Sequence, residues 1–157
     1  GSFRDNVIDL GKSASRFDDI YATNGTIQTS DANEKQDIAE LSDAEQRVAI
    51  ACKSLLRKFR WRDAVETKGD DARIHFGIIA QDLQAAFAAE GLDAGCYSMF
   101  ISSTWWEVTE DYIDNEGVAH TRIVTFETQD EAPEGATERT RLGVRYPELL
   151  AFIIGGI

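Results

Sequence analysis

A serine hydroxyl followed at short range by a lysine is the smallest set of groups able to cut a peptide bond. The hydroxyl is the nucleophile, and the amine, once neutral, takes its proton. Ser30 and Lys35 stand in this relation within Thr29-Ser30-Asp31-Ala32-Asn33-Glu34-Lys35. Spacing alone leaves a second reading open, in which Ser30 caps a short turn and Lys35 extends into solvent. The surroundings set a further condition. An ordinary lysine, with a pKa of about 10.4, is charged near pH 7, and the carboxylates of Asp31, Glu34 and Asp37 would favour that charge if close. Burial is the effect able to oppose them, since desolvation lowers a lysine by up to roughly 3–5 units. At a junction between two segments of different character, such burial has to come from a folded assembly.

Other chemistry-bearing residues are sparse. His75 lies between apolar neighbours in a strand-like stretch, where a lone histidine reads as a core or interface residue before a catalyst. Cys52 and Cys96 sit on apolar patterns far apart, without Cys or His at ligand spacing, so both read as reduced core residues and no metal site is expected. No cofactor motif is present.

The elements that must position Ser30 and Lys35 differ on their two sides. Residues 3–29 hold short apolar pieces broken by Gly11, Asp18-Asp19 and the turn dipeptide Asn24-Gly25. Strands this short need partners, as at the end of a β-stalk or in a hairpin packed on the following domain. Downstream the pattern turns helical. Ser42-Asp43-Ala44-Glu45 is a capping box, and Val48, Cys52, Leu55, Leu56 and Phe59 predict one helix face ending in Arg57, Lys58, Arg60 and Arg62. Lys68 to Asp71 is a turn, residues 73–78 a strand, and 79–90 a helix with Leu83, Ala86 and Phe87 inward and Gly91 as its stop.

Residues 96–127 are β-rich. Alternation around Trp106, Val108 and Tyr112, the turn Asp114-Asn115-Glu116-Gly117 and resumed alternation over 118–126 predict a long hairpin. Its faces are both mixed, with Trp105, Ile113 and Ile123 opposite the first set, so protein is expected on both sides. Residues 127–138 read as an acidic surface loop. Pro147 then opens an almost wholly apolar helix reaching Ile154, whose exposure on a lone chain would favour self-association.

The 157 residues, 43% hydrophobic, suffice for one core. A formal charge of −12 argues against nucleic acid and anionic membrane surfaces as partners. No apolar run reaches the roughly 18 residues of a membrane span, and no signal-peptide layout opens the chain.

Three segments carry a resemblance. Residues 20–31, followed by Lys35 and Ile38, resemble the start of the C-terminal intramolecular chaperone domain of phage tailspikes and tail fibres, the endosialidase-type peptidase S74 family. His75-Phe76-Gly77-Ile78-Ile79-Ala80-Gln81-Asp82-Leu83 is similar to its H-x-G-x-x-A-Q-(D/E)-L segment. Arg145-Tyr146 with Glu148-Leu149-Leu150-Ala151 is similar to its final R-Y-x-E-L-L-A helix.

The resemblance implies an α+β fold: a homotrimeric chaperone domain with short stalk strands at the N-terminus, a small mixed core with a protruding hairpin, and a C-terminal helix at the trimer axis. Residues 1–29 would end the fibre and 30–157 form the chaperone. Cleavage would fall at Thr29–Ser30, with Ser30 as nucleophile, Lys35 as base, and Asp31, His75 and Arg145 in support. The domain would be a single-turnover serine peptidase acting on its own chain, without metal or cofactor. Its client would be the N-terminal fibre, folded in the host cytoplasm and carried on the virion tail after the chaperone is released. A non-cleaving trimerisation or receptor-binding tip is the alternative.

Physical logic agrees with a removable trimeric module. Short strands in a parallel trimer can pair in many slipped frames, and their non-local pairing is slow. A compact trimer fixes the register first, and cutting it away afterwards converts a marginal equilibrium into kinetic stability.

Overall fold

The computed structural model describes residues 10–12, 14–17, 20–21 and 30–157. Most of the expected stalk strands, and the Asn24-Gly25 turn, lie outside the described residues. The chain divides into two compact units, one of residues 1–36 with 103–141 and one of residues 37–102 with 142–157.

The second unit holds the main core. Helix α1 (Asp43–Cys52) begins with the expected capping box: Glu45 N–H donates to Ser42 Oγ at 3.3 Å, and Ser42 N–H donates to Glu45 Oε2 at 2.6 Å. The helix does not continue to Phe59 as the apolar stripe predicts. A 3₁₀ turn over Lys53–Leu55 leads into strand β1 (Leu56–Phe59). Ser54 Oγ donates back to the Ala51 carbonyl at 2.8 Å, a local bond that competes with helix propagation. β1 then pairs antiparallel with β2 (His75–Ile78), in a register running from Leu56 opposite Ile78 to Phe59 opposite His75. That pairing, distant in sequence, overrides the helical period. Between the two strands lies an unanticipated helix, α2 (Arg62–Lys68), closed by Gly69 in a positive-φ conformation.

Helix α3 (Ala80–Ala89) follows as expected, with Leu83 and Phe87 buried and Gly91 at φ 72° ending the turn after it. Phe87 lies against Tyr97 at 4.5 Å and Phe152 at 5.8 Å between ring centroids. Among the described residues, Val48, Cys52, Leu83, Phe87 and Leu149 are the largest fully buried side chains. Burial pushes the Cys52 thiol above its usual range. Cys96, expected in the core, is instead exposed, because it ends a short 3₁₀ turn capped by Asp93.

Helix α4 (Tyr146–Gly155) has Pro147 in its first turn and packs Leu149 and Phe152 inward. Ile153 is half-buried against the same core, whereas Leu150 and Ile154 are 52% and 67% exposed. The outward stripe is therefore the pair four residues apart, Leu150 and Ile154.

The first unit carries most of a three-stranded sheet in the order β4-β3-β5, formed by β3 (Phe100–Ile113), β4 (Ala119–Phe126) and β5 (Thr137–Val144). The expected hairpin is present, in register from Trp106 opposite Phe126 to Ile113 opposite Ala119. Its turn is held by Asp114 Oδ1, which accepts from the Glu116 and Val118 amides at 2.9 Å each. The Val118 amide first, then the His120 ring at 2.7 Å from Oδ2, hold the Asp114 carboxyl below its usual range. Ile113 and Ile123 are 71% and 65% exposed.

β5 was not expected, and its start takes Thr137 and Glu138 out of the predicted loop. Its first half, Thr-Glu-Arg-Thr-Arg, lacks apolar alternation and is held by polar pairing. Thr140 and Thr104 hydroxyls meet at 3.0 Å, Arg139 Nε donates to Glu107 at 3.0 Å, and the Arg141 guanidinium lies 4.9 Å from the Trp105 ring centroid.

Candidate functional site

Ser30 is followed by a single 3₁₀ turn over Ala32–Glu34. Asp31 caps it: its Oδ1 accepts from the Asn33 amide and from Asn33 Nδ2, each at 2.9 Å. The Glu34 amide donates to the Asp31 carbonyl and the Lys35 amide to the Ala32 carbonyl, both at 3.2 Å. Lys35 itself is extended (φ −120°, ψ 148°), which ends the turn and sends its side chain back. Lys35 Nζ donates to Ser30 Oγ at 2.8 Å.

That distance is what a nucleophile and its base require. Ser30, Asp31, Asn33 and Lys35 are all exposed in the single chain. Among the described residues, no carboxylate is ion-paired with Lys35. The chain then turns at Asp37, which adopts a left-handed conformation at φ 54°. Thr29 lies outside the described residues, so the peptide bond between Thr29 and Ser30 is not described.

The remaining expected residues belong to the other unit. His75 is exposed and stacks on Phe59 at 5.9 Å, with Trp61 edge-on at 6.2 Å. It is therefore not a core histidine. Arg145 stands at the start of α4: its amide donates to the Met99 carbonyl at 2.8 Å, its guanidinium to the Ser98 carbonyl, and its own carbonyl accepts from Leu149 in α4. Within the H-x-G segment, Gly77 leaves room for the Tyr146 hydroxyl, which accepts from the Ile78 amide at 3.1 Å. A Cβ at Gly77 would stand 2.2 Å from that oxygen. Asn33 was not singled out from sequence, although an Asp-x-Asn step is a turn signal that could have drawn attention to it. Among the described residues, no group of three or more potential metal ligands forms a cluster, and no helix is long and apolar enough to cross a membrane.

Residues 30–92 match the family profile described as chaperone of endosialidase, Peptidase_S74. The chain belongs to this family. It is similar to the carboxy-terminal domain of the bacteriophage T5 L-shaped tail fibre with its intramolecular chaperone domain, with a TM-score of 0.70 and 27% identity over 98% of this chain and 34% of that one. A crystal structure titled a novel intramolecular chaperone aligns with a TM-score of 0.59 and 31% identity, covering 81% of this chain and 93% of that one. The probable tail spike protein of Klebsiella phage 0507-KN2-1 is 35% identical over 145 residues, which are 87% of this chain and 11% of the relative. The side tail fiber protein pb1 of Escherichia phage T5 is 33% identical over 105 residues, 67% of this chain and 7% of that protein. The chain thus spans about a tenth of the length of these curated relatives. It is an intramolecular chaperone domain of the kind that phage tail fibres and tailspikes carry.

Proposed function

We propose that this domain drives trimerisation and folding of the fibre that precedes it in the same chain and then releases itself by cutting the Thr29–Ser30 bond. The observation that carries the reading is Lys35 Nζ at 2.8 Å from Ser30 Oγ, in a chain of the peptidase S74 family. Neutral Lys35 takes the Ser30 hydroxyl proton, and Oγ attacks the Thr29 carbonyl carbon. The ammonium returns the proton to the Ser30 amide nitrogen as the C–N bond breaks. Water then hydrolyses the ester, leaving a Thr29 carboxylate and a Ser30 with a free amine.

Lysine is a base only as the neutral amine, and desolvation favours that form. Both side chains are exposed in the single chain, so assembly supplies the burial in this reading. The outward Leu150 and Ile154 stripe on α4 is the seam we assign to three copies, and the mixed faces of the β3–β4 hairpin are a second protein contact. In this reading the trimer forms in the host cytoplasm, and the mature fibre is carried on the virion tail.

Intact mass after expression tests the reading. The expected products are fragments 1–29 and 30–157 from the parent and an uncut, assembled chain from Ser30→Ala. A single uncut parent chain would favour the non-cleaving trimerisation or receptor-binding tip. Cutting of Ser30→Ala at the parental rate would remove Ser30 as nucleophile.

A further inference from the structure

The turn between Ser30 and Lys35 contains a carboxylate that a lysine would ordinarily attract. Asp31 is four residues from Lys35 and equally exposed, yet among the described residues it is not ion-paired with the lysine. Its Oδ1 is engaged twice by Asn33, through the backbone amide and through Nδ2, at 2.9 Å each. The first bond caps the 3₁₀ turn, and any Asn or Asp cap would make it. The second is supplied by the Asn33 side chain and fixes where the carboxylate points. Glu34 and Asp37 are the other acidic groups adjacent in sequence, and neither is ion-paired with Lys35.

We propose that Asp31 and Asn33 are the positioning pair of the Ser30–Lys35 dyad: Asn33 holds the Asp31 carboxylate as the cap of the turn, which brings Lys35 back onto Ser30 and keeps that carboxylate from becoming the lysine's counter-ion. The inference rests on the dyad reading above. It adds that this chain manages an acidic neighbour by holding it in the turn through one oxygen, Oδ1, rather than removing it. A carboxylate released beside an amine stabilises the ammonium, the form that cannot accept the Ser30 proton.

The pair is tested in the full-length chain by the pH profile of cleavage. Asn33→Ala frees the carboxylate, so the pH of half-maximal rate should rise by about one unit, leaving cleavage roughly tenfold slower below it. Asp31→Asn keeps the capping oxygen and removes the charge, so the midpoint of its profile should not move upward. Asp31→Ala loses the cap and should be slow at every pH. A parental midpoint in Asn33→Ala, or a raised midpoint in Asp31→Asn, would overturn the proposal; simple loss of structure would not move the midpoint in one variant and spare the other.

A second measurement is independent of bond cutting. In the Ser30→Ala chain, the pH at which acetic anhydride half-labels Lys35, read by peptide mass, should rise when Asn33→Ala is added. An intact parent with that labelling shift would dispose of the dyad and retain the pair. Ser30-dependent cleavage with neither profile shifted would retain the dyad and dispose of the pair.

Discussion

Single residues at helix ends carry much of the local order in the core unit. Glu45 accepts from the Ser42 amide and from the Tyr97 hydroxyl at 2.9 Å. The Ser42 backbone bond, then the Ser42 and Tyr97 side chains, hold its carboxyl below the usual value of 4.5. Tyr97 moves the opposite way, raised first by burial and then by the same bond to Glu45. A folded-state value below the unfolded one means that Glu45 stabilises fully above about pH 4.5 and loses its contribution as pH falls through the lower, folded value. Glu45→Gln should therefore cost about 1 kcal/mol at pH 7, typical of a capping interaction. The gap to the parent, read by urea titration, should close towards pH 3. At the other end of the same helix packing, a Cβ at Gly156 would stand 2.5 Å from that of Ala49, itself fully buried, and 3.3 Å from its carbonyl carbon. Backbone cannot step aside as a side-chain tip can. Gly156→Ala should lower stability by roughly 1–3 kcal/mol, an overpacking cost, seen as a lower denaturation midpoint at unchanged slope.

At the scale of elements, the features legible in the sequence are those set by local chemistry. The Ser42–Glu45 box, Gly91, Pro147 and the Asp114–Gly117 turn each satisfy or redirect nearby backbone groups, so four residues suffice to reveal them. The Ser30–Lys35 contact belongs to the same class, because one short turn spans it. Two elements set by distant partners, β1 and β5, were not legible. Leu55, Leu56 and Phe59 fit a helical stripe as well as a strand, and only β2 decides between them. β5 is made by polar partners on β3, which its own sequence does not reveal. Helix α4 shows both cases: its existence was readable, but which face turns outward depends on the core that takes up Ile153. Leu150→Asp with Ile154→Asp should therefore leave the far-UV spectrum of the chain intact while abolishing the proposed trimer in light scattering, since charge in the seam assigned to it would cost several kcal/mol. A trimer persisting in that double variant would move the seam elsewhere.

For the molecule as a whole, the proposed chemistry should follow assembly. Cleavage should be absent in denaturant, begin on refolding in step with trimer formation, and quicken from about pH 6 to 9 as amines lose their protons. Lys35→Arg should abolish it with the charge retained, because guanidinium keeps its proton throughout. Cutting in urea, or parental rates in that variant, would remove Lys35 as the base.

The core unit is also discontinuous along the chain, with residues 103–141 inserted between its two parts. α1 packs against α4, and Leu149 and Phe152 complete the cluster around Val48, Cys52 and Phe87. During synthesis the cover of α1 therefore stays incomplete until α4 is made. At translation rates of about 5–20 residues per second, the stretch from Cys52 to Tyr146 takes roughly 5–20 s to make, during which Val48 and Cys52 lack the cover that α4 adds to that of α3. A ribosome that stops within this stretch yields a chain with no finished core, no outward stripe on α4 and hence no proposed trimer. In the proposed assembly the fold would thereby act as a proofreading step on translation, since only a chain read through α4 would carry the outward stripe.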